Sequence, residues 1–283
     1  MKMDRIQEAY RIERDLAHRL RSAPKEFRTQ TVRAVYADLY RRVHWHPDLT
    51  RSLEERRRRV AELRFAYGRW ISSAGSVLEI GAGSCDFLAE LALDYPGKRL
   101  AGIDVARDPL LSAASSLPAN VQFTQAAASA IPYRNGSFDF VFCSQVLEHF
   151  HPDDVPDHMA EVARVLRSDG WFGFDTPNRI TGPHDISRGF TPEATGLHLK
   201  EWTFEELLVL LLENGFRTVL ARSVPGRAAR WLRLPAPGPL VDARRKIAIE
   251  RRVARIQHVG RRRLLGRLLG LNGIYLYAQR SNR

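Results

Sequence analysis

From Gly75 onward, short apolar runs alternate with stretches of helical spacing, and no other feature of the sequence constrains the fold as strongly. Parallel strands that are buried on both faces form continuous apolar runs, and a crossover helix must precede each following strand. The alternation therefore predicts an α/β fold with a mostly parallel sheet and helices on both faces. The predicted strands are Ser76–Ile80, Arg99–Val105, Val121–Thr124, Phe138–Cys143, Trp171–Thr176, Phe216–Val224 and Ile274–Gln279. The predicted helices are Cys85–Tyr95, Pro109–Leu117, Asp154–Arg167 and Thr203–Asn214.

Two flanking segments depart from this alternation. The first, residues 1–70, has helical spacing interrupted at Pro24 and at His46-Pro47, which predicts three helices. The second lies between the last two predicted strands; it begins with a Pro-rich hinge at 234–239 and continues as a basic helical stretch from about Asp242. We expect four parts, namely an N-terminal helical cap or substrate lid (1–70), a core (71–224), a basic helical insert (225–273) and the last core strand with a tail (274–283).

The first predicted strand leads directly into a Gly-x-Gly turn, which is followed by a helix. The segment reads Val77-Leu78-Glu79-Ile80-Gly81-Ala82-Gly83-Ser84-Cys85-Asp86. Glycines let the backbone turn sharply and approach a ligand closely, and the helix N-terminus offers unpaired N–H groups. A dinucleotide fingerprint has a third glycine where this chain has Asp86. Because a carboxylate there repels a pyrophosphate, we expect a ligand that is neutral or cationic at that point.

Two further segments complete a recognisable set. Asp104 ends the second predicted strand, 21 residues after Gly83, where a carboxylate can accept hydrogen bonds from both hydroxyls of a ribose. The other segment runs from Ile131-Pro132 through the fourth predicted strand to Glu148-His149-Phe150. Over roughly residues 75–220, these motifs resemble class I S-adenosylmethionine-dependent methyltransferases, notably the small-molecule branch that includes quinone-biosynthesis and natural-product enzymes.

The resemblance implies a Rossmann-like, seven-stranded, mostly parallel sheet with an antiparallel last strand, and S-adenosylmethionine as cofactor. It also implies three groups of cofactor contacts, which are Glu79, Gly81, Ala82 and Gly83 around the methionine part, Asp104 and Val105 at the ribose and adenine, and Ser144 and Gln145 beside the sulfonium. The family often has an acid before the Leu/Ile-Pro pair, where it accepts from the adenine amino group. Ala126-Ala127-Ala128 stands there in this chain, so we expect a backbone carbonyl, such as that of Ala128, or Ser129 to replace the acid.

Histidines near the same edge are candidates for catalysis. Methyl transfer from a sulfonium is an in-line displacement that requires alignment and exclusion of water, and an oxygen acceptor usually also needs a base. His149, after the fourth strand, is the first candidate, with a purely structural loop histidine as the alternative. In the long loop after the fifth strand, His184, Asp185, His198 and Glu201 either orient an acceptor hydroxyl or fix the loop. Their spacing matches no metal signature, so no metal is predicted.

Charge is distributed unevenly along the chain of 283 residues, whose formal net charge is +12. Residues 1–70 contain 18 basic and 10 acidic side chains, residues 71–220 contain 10 and 20, and residues 221–283 contain 16 and 2. Three roles are open for the basic insert: a lid over an anionic or lipid-linked acceptor, a peripheral membrane contact, and an RNA-binding arm. We expect the lid, because this connection should return over the cofactor edge. No nucleic acid is expected, because no basic strand carries base-stacking aromatics.

The start of the chain has charges where a signal peptide needs an apolar stretch, and no apolar run is long enough to span a bilayer. Two cysteines, Cys85 and Cys143, indicate neither a disulfide framework nor a zinc site. We therefore expect a cytoplasmic enzyme that O-methylates a sugar, polyketide or phenolic natural product. The alternatives are C-methylation of a lipid quinone at a membrane surface and a catalytically silent cofactor-binding module with a regulatory role.

Overall fold

A computed structural model describes residues 2–106 and 117–281 of the protein. The helices are α1 (Lys2–Arg21), α2 (Arg28–Arg42), α3 (Pro47–Thr50), α4 (Leu53–Ser73), α5 (Asp86–Asp94), α6 (Val155–Val165), α7 (Phe204–Glu213), α8 (Gly226–Trp231), α9 (Ala243–Ala254) and α10 (Val259–Leu268). The strands are β1 (Ser76–Ile80), β2 (Arg99–Asp104), β3 (Val121–Gln125), β4 (Phe138–Ser144), β5 (Leu166–Pro177), β6 (Phe216–Arg222), β7 (Leu240–Asp242) and β8 (Gly273–Arg280). The helix predicted at Pro109–Leu117 falls, except for its last residue, outside the described ranges.

All eight strands form one sheet in the order β3-β2-β1-β4-β5-β8-β6-β7. Strands β1 to β5 pair in parallel, and β8 lies antiparallel between β5 and β6. The α/β fold and the antiparallel last strand are therefore confirmed. The predicted number of seven strands is wrong for the described residues, because β7 adds an eighth, antiparallel strand beside β6. This strand has only three residues and follows the Pro-rich hinge, so it lacks a recognisable apolar run.

The parallel strands bring their carboxyl ends to one edge of the sheet, as their register requires. Ile80 lies beside Ile103 and Cys143, and Ser144 lies beside Asp175. One face of the sheet is covered by α6, α7 and α9, and the other by α4 and α5. The aromatic rings of Trp70 and Tyr277 stack at 3.9 Å between α4 and β8. The edge that follows β1, β2 and β4 is therefore held between two packed layers.

The N-terminal helices form a small apolar cluster of their own, which also contacts the loop after β5. Leu16, Val35 and Leu39 are fully buried, and they share this cluster with Leu197 and Leu199. The predicted helix break at Pro24 is confirmed, because α1 ends at Arg21 and α2 begins at Arg28. The cap is thus attached to the core through the loop that carries the predicted residue His198.

The basic insert packs into the core. Ile247 and Val253 of α9 belong to the same apolar cluster as the sheet and α7. Lys246, only 1% exposed, donates from Nζ to the carbonyls of Ser223 (2.7 Å) and Leu269 (2.8 Å). Within the described residues, no helix has the length and apolar character needed to cross a membrane.

Candidate active site

The turn after β1 is built from glycines in the left-handed region of backbone conformation. Gly81 has φ +76° and Gly83 has φ +49°, and the amides of Gly81 and Ala82 both donate to the carbonyl of Ile103. A Cβ atom on Gly81 would overlap the side chain of Val146. Only glycine at this position lets the turn lie against the loop after β4.

Asp104, at the end of β2, is fixed by two backbone amides. Its Oδ2 accepts from Gly83 N at 3.0 Å and its Oδ1 from Ala106 N at 3.0 Å. The next residue, Val105, accepts at its carbonyl from Arg33 Nε of α2 at 3.1 Å. The sequence therefore placed the acid correctly beside the glycine turn, and the structure adds a contact from the N-terminal cap.

Glu79, near the end of β1, is a buried acid with an unsatisfied oxygen. It is 7% exposed, and its Oε2 has no hydrogen-bond partner. Burial raises the pKa of Glu79 to about 8; Arg59 opposes this effect, while Asp104 and Asp86 add to it. A buried, unpaired carboxylate oxygen among other acids is stabilised by a cationic ligand. The site therefore fits a ligand that carries a positive charge, such as an amino acid ammonium group.

The loop after β4 is held by a residue that sequence reasoning missed. Asp175, 3% exposed, accepts from the Ser144 hydroxyl, from Gln145 Nε2 at 2.7 Å and from the Tyr67 hydroxyl at 2.5 Å. Gln145 itself has a positive φ of 58°. An acid at the carboxyl end of the apolar strand β5, beside the end of β4, was the signal that could have revealed Asp175.

Arg59 is the one member of the α4 run Arg56-Arg57-Arg58-Arg59 that reaches the loop after β4. It is half-buried, whereas Arg57 and Arg58 are exposed. Its Nη2 donates to Ser144 Oγ at 2.7 Å and to the Ser144 carbonyl at 3.3 Å. A helix from the N-terminal cap segment thus supplies a positive charge to the edge of the sheet.

The segment 126–129 lines the expected adenine side. Asp104 and this segment are joined by a bond from Ala126 N to the Asp104 carbonyl at 2.9 Å. The carbonyl of Ala128 already accepts from His158 Nδ1 at 3.2 Å. Because a carbonyl oxygen has two lone pairs, Ala128 keeps capacity for a ligand, and Ser129 also lies on the wall.

One continuous cavity of about 790 Å³ joins these residues to the N-terminal helices. Its wall combines residues from the ends of the strands, the N-terminal helices and the loops after β4 and β5. They include Glu79, Asp104, Ser144, Gln145, Arg28, Tyr36, Tyr40, Arg59, His149, Phe150, Asp185 and His198. The volume is within the range of sites that enclose small molecules. Carboxylates outnumber guanidinium groups among the lining residues, so the surplus basic charge of the chain does not lie on this wall.

His149, from the loop after β4, also lines the cavity. Its Nδ1 lies 3.1 Å from the carbonyl of Leu197, which assigns the ring proton to Nδ1. Tyr36 of α2 and His198 approach the ring edge-on. Burial, followed by the neighbouring His198, lowers the pKa of His149 to about 3. The ring is therefore neutral at physiological pH, with Nε2 as its acceptor atom.

His198 lies beside His149, and a carboxylate orients it. Its Nδ1 is 3.0 Å from Glu201 Oε1, and Glu201 is buried. Burial lowers the pKa of His198, but the hydrogen bond to Glu201 and the charge of Glu148 outweigh that effect, so the net shift is upward. The structure thus brings His149 and His198 together, as the sequence alone could not establish.

His184, the third predicted catalytic histidine, is directed elsewhere. Its Nε2 lies 3.0 Å from Thr181 Oγ1 and 3.1 Å from the Asn178 carbonyl, and it is absent from the residues that line the cavity. Its backbone amide donates to Glu201 Oε1 at 2.6 Å. We therefore assign His184 a loop-fixing position, which was the alternative considered for this cluster.

The basic insert does not line the cavity either. None of the described residues between 225 and 273 belongs to its wall. Instead, α10 packs behind the loop after β5, where Arg262 donates to the carbonyl of Ile180 and Arg263 to that of Gly182. The expectation that this insert forms a lid is therefore wrong in this structure, because the apolar face of α9 is buried against the sheet.

Comparison with known proteins identifies a methyltransferase domain in the core of the chain. Residues 78–174 match the family described as methyltransferase domain. A protein of Mycobacterium tuberculosis named as a probable S-adenosylmethionine-dependent methyltransferase is 32% identical over 147 residues, which are 51% of this chain and 49% of that protein. The ubiquinone biosynthesis O-methyltransferase of Albidiferax ferrireducens is 33% identical over 114 residues, or 36% and 41% of the two chains. The chain thus spans about half the length of the curated relatives it matches.

A solved structure shares the fold over most of its length. The 1,6-didemethyltoxoflavin-N1-methyltransferase of Burkholderia thailandensis superposes with a TM-score of 0.55, covering 92% of both chains at 19% identity. That crystal structure contains 1,6-didemethyltoxoflavin and S-adenosylhomocysteine.

Residues 78–174 match a methyltransferase domain, and the sheet order and the glycine turn with Asp104 have the arrangement that the resemblance to class I S-adenosylmethionine-dependent methyltransferases implies. S-adenosylmethionine is the cofactor of this class. The unpaired buried oxygen of Glu79 fits the ammonium group of its methionine part.

Proposed function

We propose that this protein transfers a methyl group from S-adenosylmethionine to an oxygen atom of a small molecule. The observation that carries this proposal is the continuous cavity, which connects the glycine turn and Asp104 with His149 and the N-terminal helices. One continuous space that reaches both groups of residues can align a methyl donor with an acceptor.

The residues on the cofactor side have separate tasks. S-adenosylmethionine, when bound, supplies an electrophilic methyl group on a sulfonium. Glu79 would pair with its ammonium group, Asp104 would accept from the ribose hydroxyls, and the backbone of the turn from Gly81 to Gly83 would lie against the methionine part. Arg59 and Asp175 would hold Ser144 and Gln145 in place beside the reacting centre.

The acceptor side favours an uncharged acceptor with a ring or several hydroxyl groups. Tyr36, Tyr40 and Phe150 give aromatic surface, and Arg28 is neutralised by Asp154 at 2.6 Å. We propose that the N-terminal segment, residues 1–70, acts as the substrate cap, because α1 and α2 contribute side chains to this wall. A sugar, polyketide or phenol suits these surroundings better than a strongly anionic acceptor.

His149 is the proposed group that receives the acceptor proton, directly or through a neighbour. Its Nε2 is unprotonated at neutral pH, and the residue lines the cavity. With a pKa of about 3, this imidazole alone holds a proton only weakly, so a second group must help. Glu148 and His198, which adjoin it, are the candidates.

The test combines binding with product analysis. Isothermal titration should show S-adenosylhomocysteine binding that Asp104→Ala weakens at least about tenfold, because two backbone amides lose their acceptor and the ribose loses its partner. Incubation with isotope-labelled S-adenosylmethionine and a panel of hydroxylated acceptors should give a labelled O-methyl product by mass spectrometry. Unchanged binding in Asp104→Ala would contradict the cofactor site. A C- or N-methylated product would contradict the oxygen assignment.

A second candidate is action at a membrane surface, and one observation favours it. On α10, Leu264 and Leu268 are 60% and 68% exposed, and Trp231 of α8 is 82% exposed. Arg261 and Arg267 are exposed on the same helix. Apolar side chains among basic ones are typical of helices that lie on anionic bilayers.

Flotation with anionic lipid vesicles checks this candidate. The double variant Leu264→Ser/Leu268→Ser should lose the bound fraction, whereas Leu93→Ser, which removes a 75% exposed leucine from α5, should keep it. Point variants are preferable to deletion of the insert, because α9 belongs to the core. If the wild-type protein stays with the unbound fraction, the membrane candidate is wrong.

A further inference from the structure

Three side chains that can bind a metal lie close together beside the cavity; His149 and His198 line its wall, and Glu148 is buried next to them. Glu148 and His149 are neighbours in a short helix after β4, and His198 comes from the loop after β5. One ligand-capable atom from each lies within 4.8 Å of the other two. Nothing in the sequence joins His198 to the other two residues, since 48 positions separate it from His149 along the chain.

The carboxylate of Glu148 has one oxygen without a partner. The residue is 0% exposed, and its Oε2 accepts from Thr176 Oγ1 at 2.9 Å. Its Oε1 is buried and has no hydrogen-bond partner. An unpaired buried carboxylate oxygen is costly unless a cation or a donor meets it. This oxygen is the independent sign that a positively charged ligand belongs here.

Both histidines are oriented by a hydrogen bond at Nδ1 to a group outside the cluster. His149 Nδ1 is 3.1 Å from the Leu197 carbonyl, and His198 Nδ1 is 3.0 Å from Glu201 Oε1. Metal-binding histidines usually donate their second N–H to a carbonyl or a carboxylate in this way, which fixes the tautomer and the ring direction. Each ring therefore keeps Nε2 as a ligand atom.

We propose that Glu148, His149 and His198 bind a divalent transition-metal ion, with Zn²⁺ as the first choice. Two imidazoles and one carboxylate are a ligand set typical of catalytic zinc, and they leave coordination positions open. This inference rests on the proposed function, because the open positions would face the cavity that receives the acceptor. Bonds of about 2.1 Å would draw the three atoms somewhat closer together.

The metal would refine the substrate class. An acceptor hydroxyl bound to a divalent ion would lose its proton more easily. Because His149 Nε2 would then bind the metal, the proton would leave to solvent water, and the metal would take the place of His149 as the group that activates the acceptor. The acceptor would then be a molecule that offers an oxygen ligand, such as a phenol or a hydroxyl beside a carbonyl group. The competing assignment of the same three residues is a metal-free chain that relays the proton.

The experiment measures metal binding directly. Full-length protein is treated with EDTA, dialysed and titrated with Co²⁺, while visible absorption and equilibrium dialysis report binding; Zn²⁺ is then added as competitor. We expect one ion per chain. Glu148→Gln and His198→Ala should each weaken Co²⁺ binding about 100-fold, and Glu201→Gln about tenfold, because Glu201 only orients His198.

Controls separate this inference from the proposed function. His151→Gln removes a histidine that lines the same cavity outside the cluster, and it should bind Co²⁺ like the wild type. S-adenosylhomocysteine binding, measured on the same samples, should stay unchanged in every variant and serves as the test of folding. Wild-type protein that binds S-adenosylhomocysteine but no Co²⁺ at micromolar concentration would overturn the metal site alone. Unaltered Co²⁺ binding in both ligand variants would also overturn it.

Discussion

The cofactor side of the cavity is formed by consecutive residues and their backbone, whereas the acceptor side is formed by side chains from segments far apart in the chain. Gly81 to Gly83 and Asp104 are linked by backbone amides at the ends of neighbouring strands. His149, His198 and Tyr36, in contrast, come from three separate segments. A side made by local backbone can be recognised in the sequence, but a side assembled by packing can be identified only in the folded chain.

The strongest test of the backbone-made side is Gly81→Ala. Alanine at this left-handed φ, with its new Cβ overlapping Val146, should reduce the free energy of unfolding by about 2–5 kcal/mol. S-adenosylhomocysteine affinity, measured by titration calorimetry, should fall about 100-fold. Gly97→Ala is the matched control, because a Cβ there meets nothing within 4 Å, and it should bind like the wild type. Wild-type affinity in Gly81→Ala would show that the turn does not define the cofactor side.

His149→Ala tests the side made by packing. Cofactor affinity should stay within about twofold, while the rate of methyl transfer at saturating cofactor falls about 100-fold. This split separates a role in the reaction from a role in folding, which would lower both quantities. If His149→Ala lowers cofactor affinity as much as the rate of methyl transfer, the cofactor side and the acceptor side are not separate.

The raised pKa of Glu79 predicts that cofactor affinity depends on pH. With a pKa of about 8, its carboxyl is neutral at pH 6 and becomes charged as pH rises through 8. Pairing with an ammonium group requires the charged form, so S-adenosylhomocysteine affinity should increase by up to about tenfold per pH unit from pH 6 to pH 8. Glu79→Gln should flatten this profile, and Asp94→Asn, at an exposed position of α5, should not. A rising profile in Glu79→Gln would show that Glu79 is not the source of the pH dependence.

Tyr67→Phe gives the smallest expected effect. Its hydroxyl donates to Asp175, which still accepts from Ser144 and Gln145 in the variant. Loss of one donor to a buried carboxylate should reduce the free energy of unfolding in urea by about 1–3 kcal/mol, with cofactor affinity nearly unchanged. Tyr277→Phe, which removes a bond to the neutral Ala66 carbonyl, should cost less. A larger loss in Tyr277→Phe would contradict the role of Asp175 as the centre of this network.

Features made by local backbone were predictable from the sequence, whereas features made by packing between distant segments were not. The β1 strand, the turn after it and the position of Asp104 at the end of the second strand were predicted correctly, because apolar runs and glycines act locally. The role of Asp104 at the ribose stays a prediction. The insert was predicted to be helical but was placed wrongly, since the burial of Ile247 and Val253 depends on where the sheet offers an apolar surface. Asp175 was missed and His184 misassigned, because a polar residue gives no local sign of which partner it will meet.

The position of β8 has a consequence for the order in which the chain can fold. This strand lies between β5 and β6 and pairs with both, joining Trp171 to Gln279 and Val219 to Ala278. Among the described residues, β6 and β7 reach the rest of the sheet only through it. The strands β1 to β5 and the glycine turn can therefore assemble while the later segments are still being synthesised. The two strands β6 and β7 can join the sheet only after β8 has paired with β5, and pairings over such long separations form slowly.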